Sequence, residues 1–286
     1  MELVAQVTDP SLLKEATASS CNKIRFGSEF CMYALPPLNR LKTAYEDTTS
    51  SGREFIYVTP RLADAAMDKV REHLALLNDL GGAVVVANDL GTIRVLRELP
   101  RLKLYLGRQL VYTPSRSPWK EITEQMVNIF AKRNVKRIFY QTALNYEPTI
   151  EFFKGLGAIG ADIDWIPECF NDLGFLTRNK LQVSVHLQLV PAAITRKCHM
   201  ARFLGVEDLE SCPRPCYSKA YSMENDLLKT ETYLHGNAVF RRMEPNRKTA
   251  KELVKHGVND LVVSMNPLTG ITSREQLDDV ARSLLA

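Results

Sequence analysis

Short apolar runs alternate with amphipathic stretches along nearly the whole chain, and the two periods separate cleanly. Glu54-Phe55-Ile56-Tyr57-Val58-Thr59 is β-branched and aromatic and reads as a strand. Beyond Pro60, the residues Leu62, Ala66, Val70, Leu74 and Leu77 recur at helical spacing, which predicts a helix opening on the proline and stopping at Gly81-Gly82. Ala83-Val84-Val85-Val86-Ala87 is a continuous apolar run, the mark of a strand buried on both faces. Lys23–Gly27 predicts a strand after the helical stretch Ser11–Ser20, and Leu90–Leu99 a helix that stops at Pro100. Strands are expected over Leu102–Leu106 and Lys136–Tyr140, with a helix over Trp119–Arg133 between them and another over Ile150–Leu156. Asp162–Ile166 and Leu181–His186 compete for the next strand, one of them as part of an insertion. Ala238–Phe240, the helix Lys248–His256, the strand Leu261–Ser264 and the helix Ser273–Leu284 complete the series. Strands separated mostly by helices predict a parallel sheet. At 286 residues that sheet is expected to close into a TIM-barrel-like (β/α)8 α/β fold, a single domain over 1–286. No G-x-G-x-x-G follows the first strand and no G-x-x-x-x-G-K-[ST] occurs, which argues against dinucleotide and P-loop folds.

Composition changes this picture little. Hydrophobic residues make up 45% and charged residues 24%, as in an ordinary globular chain, and the net charge of +4 is too mild to point to nucleic acid. The basic sets Lys132–Arg137 and Arg241–Lys248 read as solvated helix ends and loops. No run reaches the roughly 18 apolar residues of a membrane span. The start, M-E-L-V-A-Q, has neither a basic nor an apolar leader region, so a cytoplasmic protein with reduced thiols is expected.

The cysteines carry the chemistry. Cys198, Cys212 and Cys216 stand as C-x13-C-x3-C, and Cys31 follows F-G-S-E-F just beyond the first predicted strand. A buried thiol packs as a small hydrophobe and needs no cysteine neighbours. Several thiolates at one point suit a soft metal or an iron–sulfur cluster. Zinc is the rival, but zinc ribbons usually pair C-x2-C knuckles and none is present. Pro213 and Pro215 stiffen the loop between the last two cysteines and bar a helix there. The segment 189–217 is therefore expected to bind a cluster together with Cys31. Cys21 reads as a packed thiol, and Cys169 stays open as a stand-in for the fourth ligand.

In a barrel, function gathers where strands end and loops begin. Asn88-Asp89, Arg108-Gln109, Gln141-Thr142 and Asn266 all fall at such positions. Asp89, Arg108 and Gln109 are the candidate catalytic residues, with Arg108 placed to hold an anionic oxygen donor in its planar fork. The plainer alternatives are that Asp89 caps the following helix and that Arg108 pairs with a loop carboxylate. His186, at the end of an alternating run, reads as a hydrogen-bonded wall residue. Nothing resembles a Ser/His/Asp set, a nucleophile elbow or an H-E-x-x-H pair.

At these residues the chain resembles the collagenase-like peptidase U32 family, most closely its UbiV-type members of anaerobic ubiquinone biosynthesis. The resemblance lies in F-G-S-E-F-C at Phe26–Cys31, V-A-N-D-L-G at Val86–Gly91, L-V-P-A-A-I-T-R-K-C-H-M-A-R at Leu189–Arg202 and E-S-C-P-R-P-C at Glu210–Cys216. It implies a TIM-barrel-like domain holding a [4Fe–4S] cluster through Cys31, Cys198, Cys212 and Cys216. It further implies oxygen-independent hydroxylation of a quinone precursor beside a UbiU-like partner, with prephenate as oxygen source. Alternatives within the resemblance are an RNA-base hydroxylation enzyme and a non-catalytic iron–sulfur subunit. A peptidase is disfavoured, since a ligand thiolate is not free to attack. The Phe170–Lys180 region reads as an insertion, and the His-Gly pair many relatives carry is missing; only His186 lies nearby.

Overall fold

The computed structural model describes residues 1–116, 139–224 and 231–285, apart from the side chains of residues 170 and 171. Eight strands close a parallel barrel: β1 (Glu2–Val7), β2 (Lys23–Gly27), β3 (Glu54–Val58), β4 (Val84–Ala87), β5 (Lys103–Leu106), β6 (Ala158–Asp164), β7 (Gln182–His186) and β12 (Asp260–Met265). Each lies beside its successor in that order, and β12 returns to pair with β1. This is a TIM-barrel-like (β/α)8 arrangement. Helices α1 (Leu13–Ala18), α2 (Leu38–Ser50), α3 (Met67–Asp79), α4 (Leu90–Leu96), α5 (Glu147–Gly155), α6 (Phe170–Arg178), α8 (Arg247–Lys255) and α9 (Arg274–Leu285) fall between or after its strands. The main apolar core lies between strands and helices, where Leu41, Leu74, Leu77 and Leu253 meet outward-facing strand residues such as Leu104 and Val185.

A second, antiparallel sheet is inserted between β7 and β12. It comprises β8 (Leu189–Ile194), β9 (Tyr221–Met223), β10 (Thr232–His235) and β11 (Ala238–Arg242), in the order β8-β11-β10-β9. The short helix α7 (His199–Phe203) follows β8. Leu189 and Phe240 of this sheet pack with Phe30 from the loop after β2 and Leu268 from the loop after β12. The sheet therefore sits against the C-terminal ends of the barrel strands.

Several expectations need correction. Asp162–Ile166 and Leu181–His186 are not rivals: both segments form neighbouring barrel strands, β6 and β7, in parallel register. The stretch read as an insertion at 170–180 is α6, the regular connection between them. The strand expected over 136–140 and the helix over 119–133 lie largely or wholly outside the described residues. Phe139 and Tyr140 are not in a strand, and β5 pairs directly with β6, so Gln141-Thr142 does not follow a barrel strand. The helix expected from Pro60 begins instead at Met67, after a 3-10 turn at Asp64–Ala66. The intervening loop is held open by Asp89, whose carboxylate accepts the Leu62 N–H at 3.2 Å. Glu2–Val7, for which the sequence pattern predicts no strand, is the first barrel strand.

Inside the barrel the two sides differ. Ile56, Val58, Val84, Val86 and Tyr105 form an apolar cluster on the β3–β5 side. Opposite them, Arg25 of β2 is fully buried and donates to both carboxylate oxygens of Asp162 of β6, at 2.5 and 2.8 Å. His186 of β7 donates to the same carboxylate at 3.1 Å. At the N-terminal end Lys23 pairs with Asp260 and Glu2. Burial alone would raise the Asp162 pKa, but Arg25 and His186 outweigh it and hold the carboxyl well below the usual range.

Candidate functional site

Strand β2 ends at Gly27, whose φ of +126° suits glycine, and a side-chain carbon there would collide with the Val58 carbonyl oxygen. This close approach turns the chain over the barrel mouth and into Ser28–Cys31. Each residue of that loop is tied down. The Ser28 hydroxyl accepts the Cys31 N–H at 3.1 Å. Glu29 takes a two-pronged ion pair from Arg108, at 2.9 and 2.6 Å. The Phe30 ring meets Phe240 edge-on at 5.3 Å, and its carbonyl accepts from the Asn237 amide at 2.8 Å.

The other three cysteines come from the inserted segment. Cys198 precedes α7, and its sulfur accepts the Ala201 N–H at 3.4 Å. Arg214, between the two prolines, adopts a left-handed backbone with φ of 54° and so folds the Cys212–Cys216 loop back on itself. Its guanidinium donates to the Cys212 carbonyl at 3.1 Å and to the Tyr33 carbonyl, which joins this loop to the one carrying Cys31. The Cys216 carbonyl accepts from His235 at 2.6 Å, which fixes the proton on Nε2.

The four sulfurs share one neighbourhood. Cys198, Cys212 and Cys216 pack in one cluster with Met200 and Leu234. Burial raises the pKa of Cys31, with Cys198 adding to the rise, and does the same for Cys198, with Cys212 adding. Cys216 is pushed up to about 12, chiefly by burial and then by Cys31, Cys198 and Cys212 together. All six cysteines are free. Among the described residues no group of three or more His, Cys, Asp or Glu side chains is placed to hold a metal ion. Cys169 lies elsewhere, with Ile166 and Val190 and with its sulfur 3.9 Å from the Ser115 hydroxyl. Cys21 is buried against Ser19 near α1.

Two cavities adjoin the cysteines. The larger, of about 1020 Å³, is bordered by Cys31, Cys198 and Gln109. A chamber of about 80 Å³ is bordered by Cys31 and Cys216 and reaches Gln6, Glu29 and Arg108 at the barrel mouth.

The three candidate catalytic residues fare differently. Asp89 caps α4, accepting the Thr92 N–H at 2.7 Å, and also accepts from Leu62. Arg108 is buried and spent: it binds Glu29, donates to Asp164 at 2.8 Å and to the Leu189 carbonyl at 2.7 Å, and stacks over the Phe30 ring. Its guanidinium therefore has no fork left for an external carboxylate. Gln109 donates to the Glu29 carbonyl and borders the larger cavity. Sequence reading missed Glu29, Asp164 and Arg116, which completes the cluster by donating to Asp164. A signal was present in Ala-Asp-Ile-Asp at 161–164: alternate carboxylates on one strand share a face, and in a barrel that face is the interior.

A closed parallel barrel whose C-terminal mouth is roofed by an antiparallel sheet and edged by four cysteines is the class this chain defines. No family model matches the chain, and no curated protein matches it either. Among solved structures, similarity extends to a thiamine phosphate pyrophosphorylase from Pyrococcus furiosus, at 11% identity and a TM-score of 0.46, covering 98% of this chain and 93% of that one. Dihydropteroate synthase from Thermus thermophilus is similar at 14% identity and a TM-score of 0.41, covering 99% and 92%. Orotidine 5'-monophosphate decarboxylase from Sulfolobus solfataricus is similar at 10% identity and a TM-score of 0.40, covering 98% and 97%. Among the described residues no helix is long and apolar enough to cross a membrane.

Proposed function

We propose that the chain is an iron–sulfur protein that holds a [4Fe–4S] cluster through Cys31, Cys198, Cys212 and Cys216. The observation that carries this reading is the gathering of four thiols from two distant parts of the sequence onto one edge of the barrel mouth. The donor set is wholly sulfur, and the Ala201 N–H aimed at Cys198 is the kind of outer contact that stabilises a ligating thiolate. Crowded, buried thiolates repel one another, and a cationic centre among them removes that penalty. A single zinc ion would need its thiolates about 3.8 Å apart, the tetrahedral edge for zinc–sulfur bonds of about 2.3 Å. A cubane takes its thiolates on the outer corners of a larger core, so it asks for less convergence of the sulfurs than a single ion does.

When bound, such a cluster supplies electron transfer or polarisation of a substrate in the adjoining cavity. On the sequence resemblance, the reaction is oxygen-independent hydroxylation of an aromatic quinone precursor, carried out beside a UbiU-like partner with prephenate as oxygen source. In that reading Arg108 and Glu29 hold the Cys31 loop in place, while Gln109 borders the substrate cavity.

The test is anaerobic purification. About four irons and four sulfides per chain are expected, falling with alanine at any of the four cysteines and holding with Cys21→Ala or Cys169→Ala. Stoichiometric zinc without iron after anaerobic reconstitution overturns the assignment.

A further inference from the structure

The loop between β10 and β11 is only two residues long, since His235 pairs directly with Ala238, and three cysteine-bearing segments converge on it. Gly236 takes the first loop position with φ of +63°, the left-handed backbone a tight hairpin turn adopts there. Its carbonyl accepts the N–H of Met200, two residues past Cys198, at 3.4 Å. A side-chain carbon at Gly236 would meet the Cys216 sulfur at 3.9 Å, so the turn lies directly against that cysteine. His235 at the other end of the turn donates to the Cys216 carbonyl. Asn237 reaches furthest. Its side chain is buried, and its amide nitrogen lies 2.8 Å from the Phe30 carbonyl oxygen and 2.8 Å from the Thr195 carbonyl oxygen. Two carbonyl acceptors at one atom identify that atom as the nitrogen and commit both of its N–H groups. Phe30 immediately precedes Cys31, and Thr195 stands three residues before Cys198. The Asn237 carbonyl in turn accepts the Thr195 N–H at 2.9 Å and the Thr195 hydroxyl at 3.0 Å.

Resting on the reading of the four cysteines as one metal site, we propose that Asn237 is its positioning residue: a single side-chain amide sets the Cys31 loop of the barrel against the Cys198 segment of the insertion before any metal binds. A metal centre that had to gather ligands from two separate loops would use part of its binding free energy to order them. Two donors on a short, hydrogen-bonded turn supply that order in advance. Arg214 ties the far side of the same barrel loop at Tyr33, but it reaches only the Cys212–Cys216 loop. Asn237 is the residue that joins Cys31 to Cys198.

The test uses the full chain, stripped of metal by anaerobic chelation, and dibromobimane, which bridges two neighbouring thiols. Bridges are assigned by peptide mass spectrometry. The Cys31–Cys198 bridge should form far more readily in the folded chain than in the chain unfolded by urea. Asn237→Asp keeps the shape of the side chain but turns an oxygen toward both carbonyls. In that variant the Cys31–Cys198 bridge should fall at least about tenfold relative to the Cys212–Cys216 bridge. Asn237→Leu, which has no donor, should behave the same way and gives the answer if the aspartate variant does not fold. Metal bound after anaerobic reconstitution should fall in both. Asn246→Ala, which removes the cap of α8 in the outer layer, should lower thermal stability and leave the bridge ratio and metal content unchanged. An unchanged ratio in both Asn237 variants overturns the proposal. So does an equal change in Asn246→Ala, or a wild-type ratio no higher folded than unfolded. A wild-type chain that binds no metal overturns the cluster reading instead, while the bridge ratio still decides the role of Asn237.

Discussion

Arg108 shows how a residue at the right place can have the wrong environment for the role its place suggests. Its position beyond β5 made it a natural anion holder, but position alone does not reveal which carboxylates reach it. Glu29 and Asp164 come from residues 79 and 56 positions away in sequence, and both are buried against it. A buried guanidinium so paired fixes neighbours, and here the neighbour is the loop that ends in Cys31. Breaking a buried pair leaves uncompensated charge and costs about 3–5 kcal/mol. Arg108→Ala should lose stability on that scale in chemical denaturation and should also lower metal content, because Glu29 is released two residues from Cys31. A variant that kept full stability and metal would make Arg108 a free site residue after all. Cys198, Cys212 and Cys216 were legible because their spacing is local in the chain, and Cys31 because it stands just beyond a strand the pattern predicts. The ion cluster beneath them was not, because its members meet only after the barrel closes.

At the scale of elements, two neighbouring motifs have separable physical roles. In Phe26–Cys31 the glycine is required by its positive φ and by the Val58 carbonyl packed against it. In Val86–Gly91 the aspartate satisfies the first turn of α4 and anchors the loop at Leu62. Asp89→Ala should therefore cost about 0.5–2 kcal/mol, the usual loss of a helix cap, with metal content unchanged. Gly27→Ala should cost about 1–3 kcal/mol from backbone strain and reduce metal content as well, since the strain falls at the root of the Cys31 loop. Thermal melts paired with metal analysis separate the two. Metal loss in Asp89→Ala would return that residue to the site. Periodicity placed most helices and barrel strands, because buried parallel strands and amphipathic helices leave unmistakable patterns. It failed at β1, whose six residues precede any contrasting helix, and at the inserted sheet apart from β11, whose Ala238–Phe240 it placed as a strand of the main series. There β8 sits inside a segment read for its cysteines, and β9, at Tyr221–Met223, is too short to show a period.

For the molecule as a whole, the decisive feature is that the barrel closes without the inserted segment. Its eight strands pair in an unbroken ring, and the core between strands and helices draws almost wholly on barrel elements. The inserted sheet is joined to the mouth by two small apolar clusters and by hydrogen bonds, among them Asn237 to Phe30, Arg214 to Tyr33 and Arg108 to Leu189. If the four cysteines share a metal centre, that centre is a further tie between the two, because Cys31 belongs to a barrel loop and the other three to the insertion. Removing it should loosen a local unit and leave the ring intact. Hydrogen exchange on the metal-loaded chain and on the chain after anaerobic chelation tests this. Protection should fall in residues 28–35 and 195–224, while the segments spanning β3, β4 and β5 exchange as before. Uniform loss across the barrel would mean that the centre is needed for folding itself, and unchanged exchange at 195–224 would mean that these cysteines hold nothing in common.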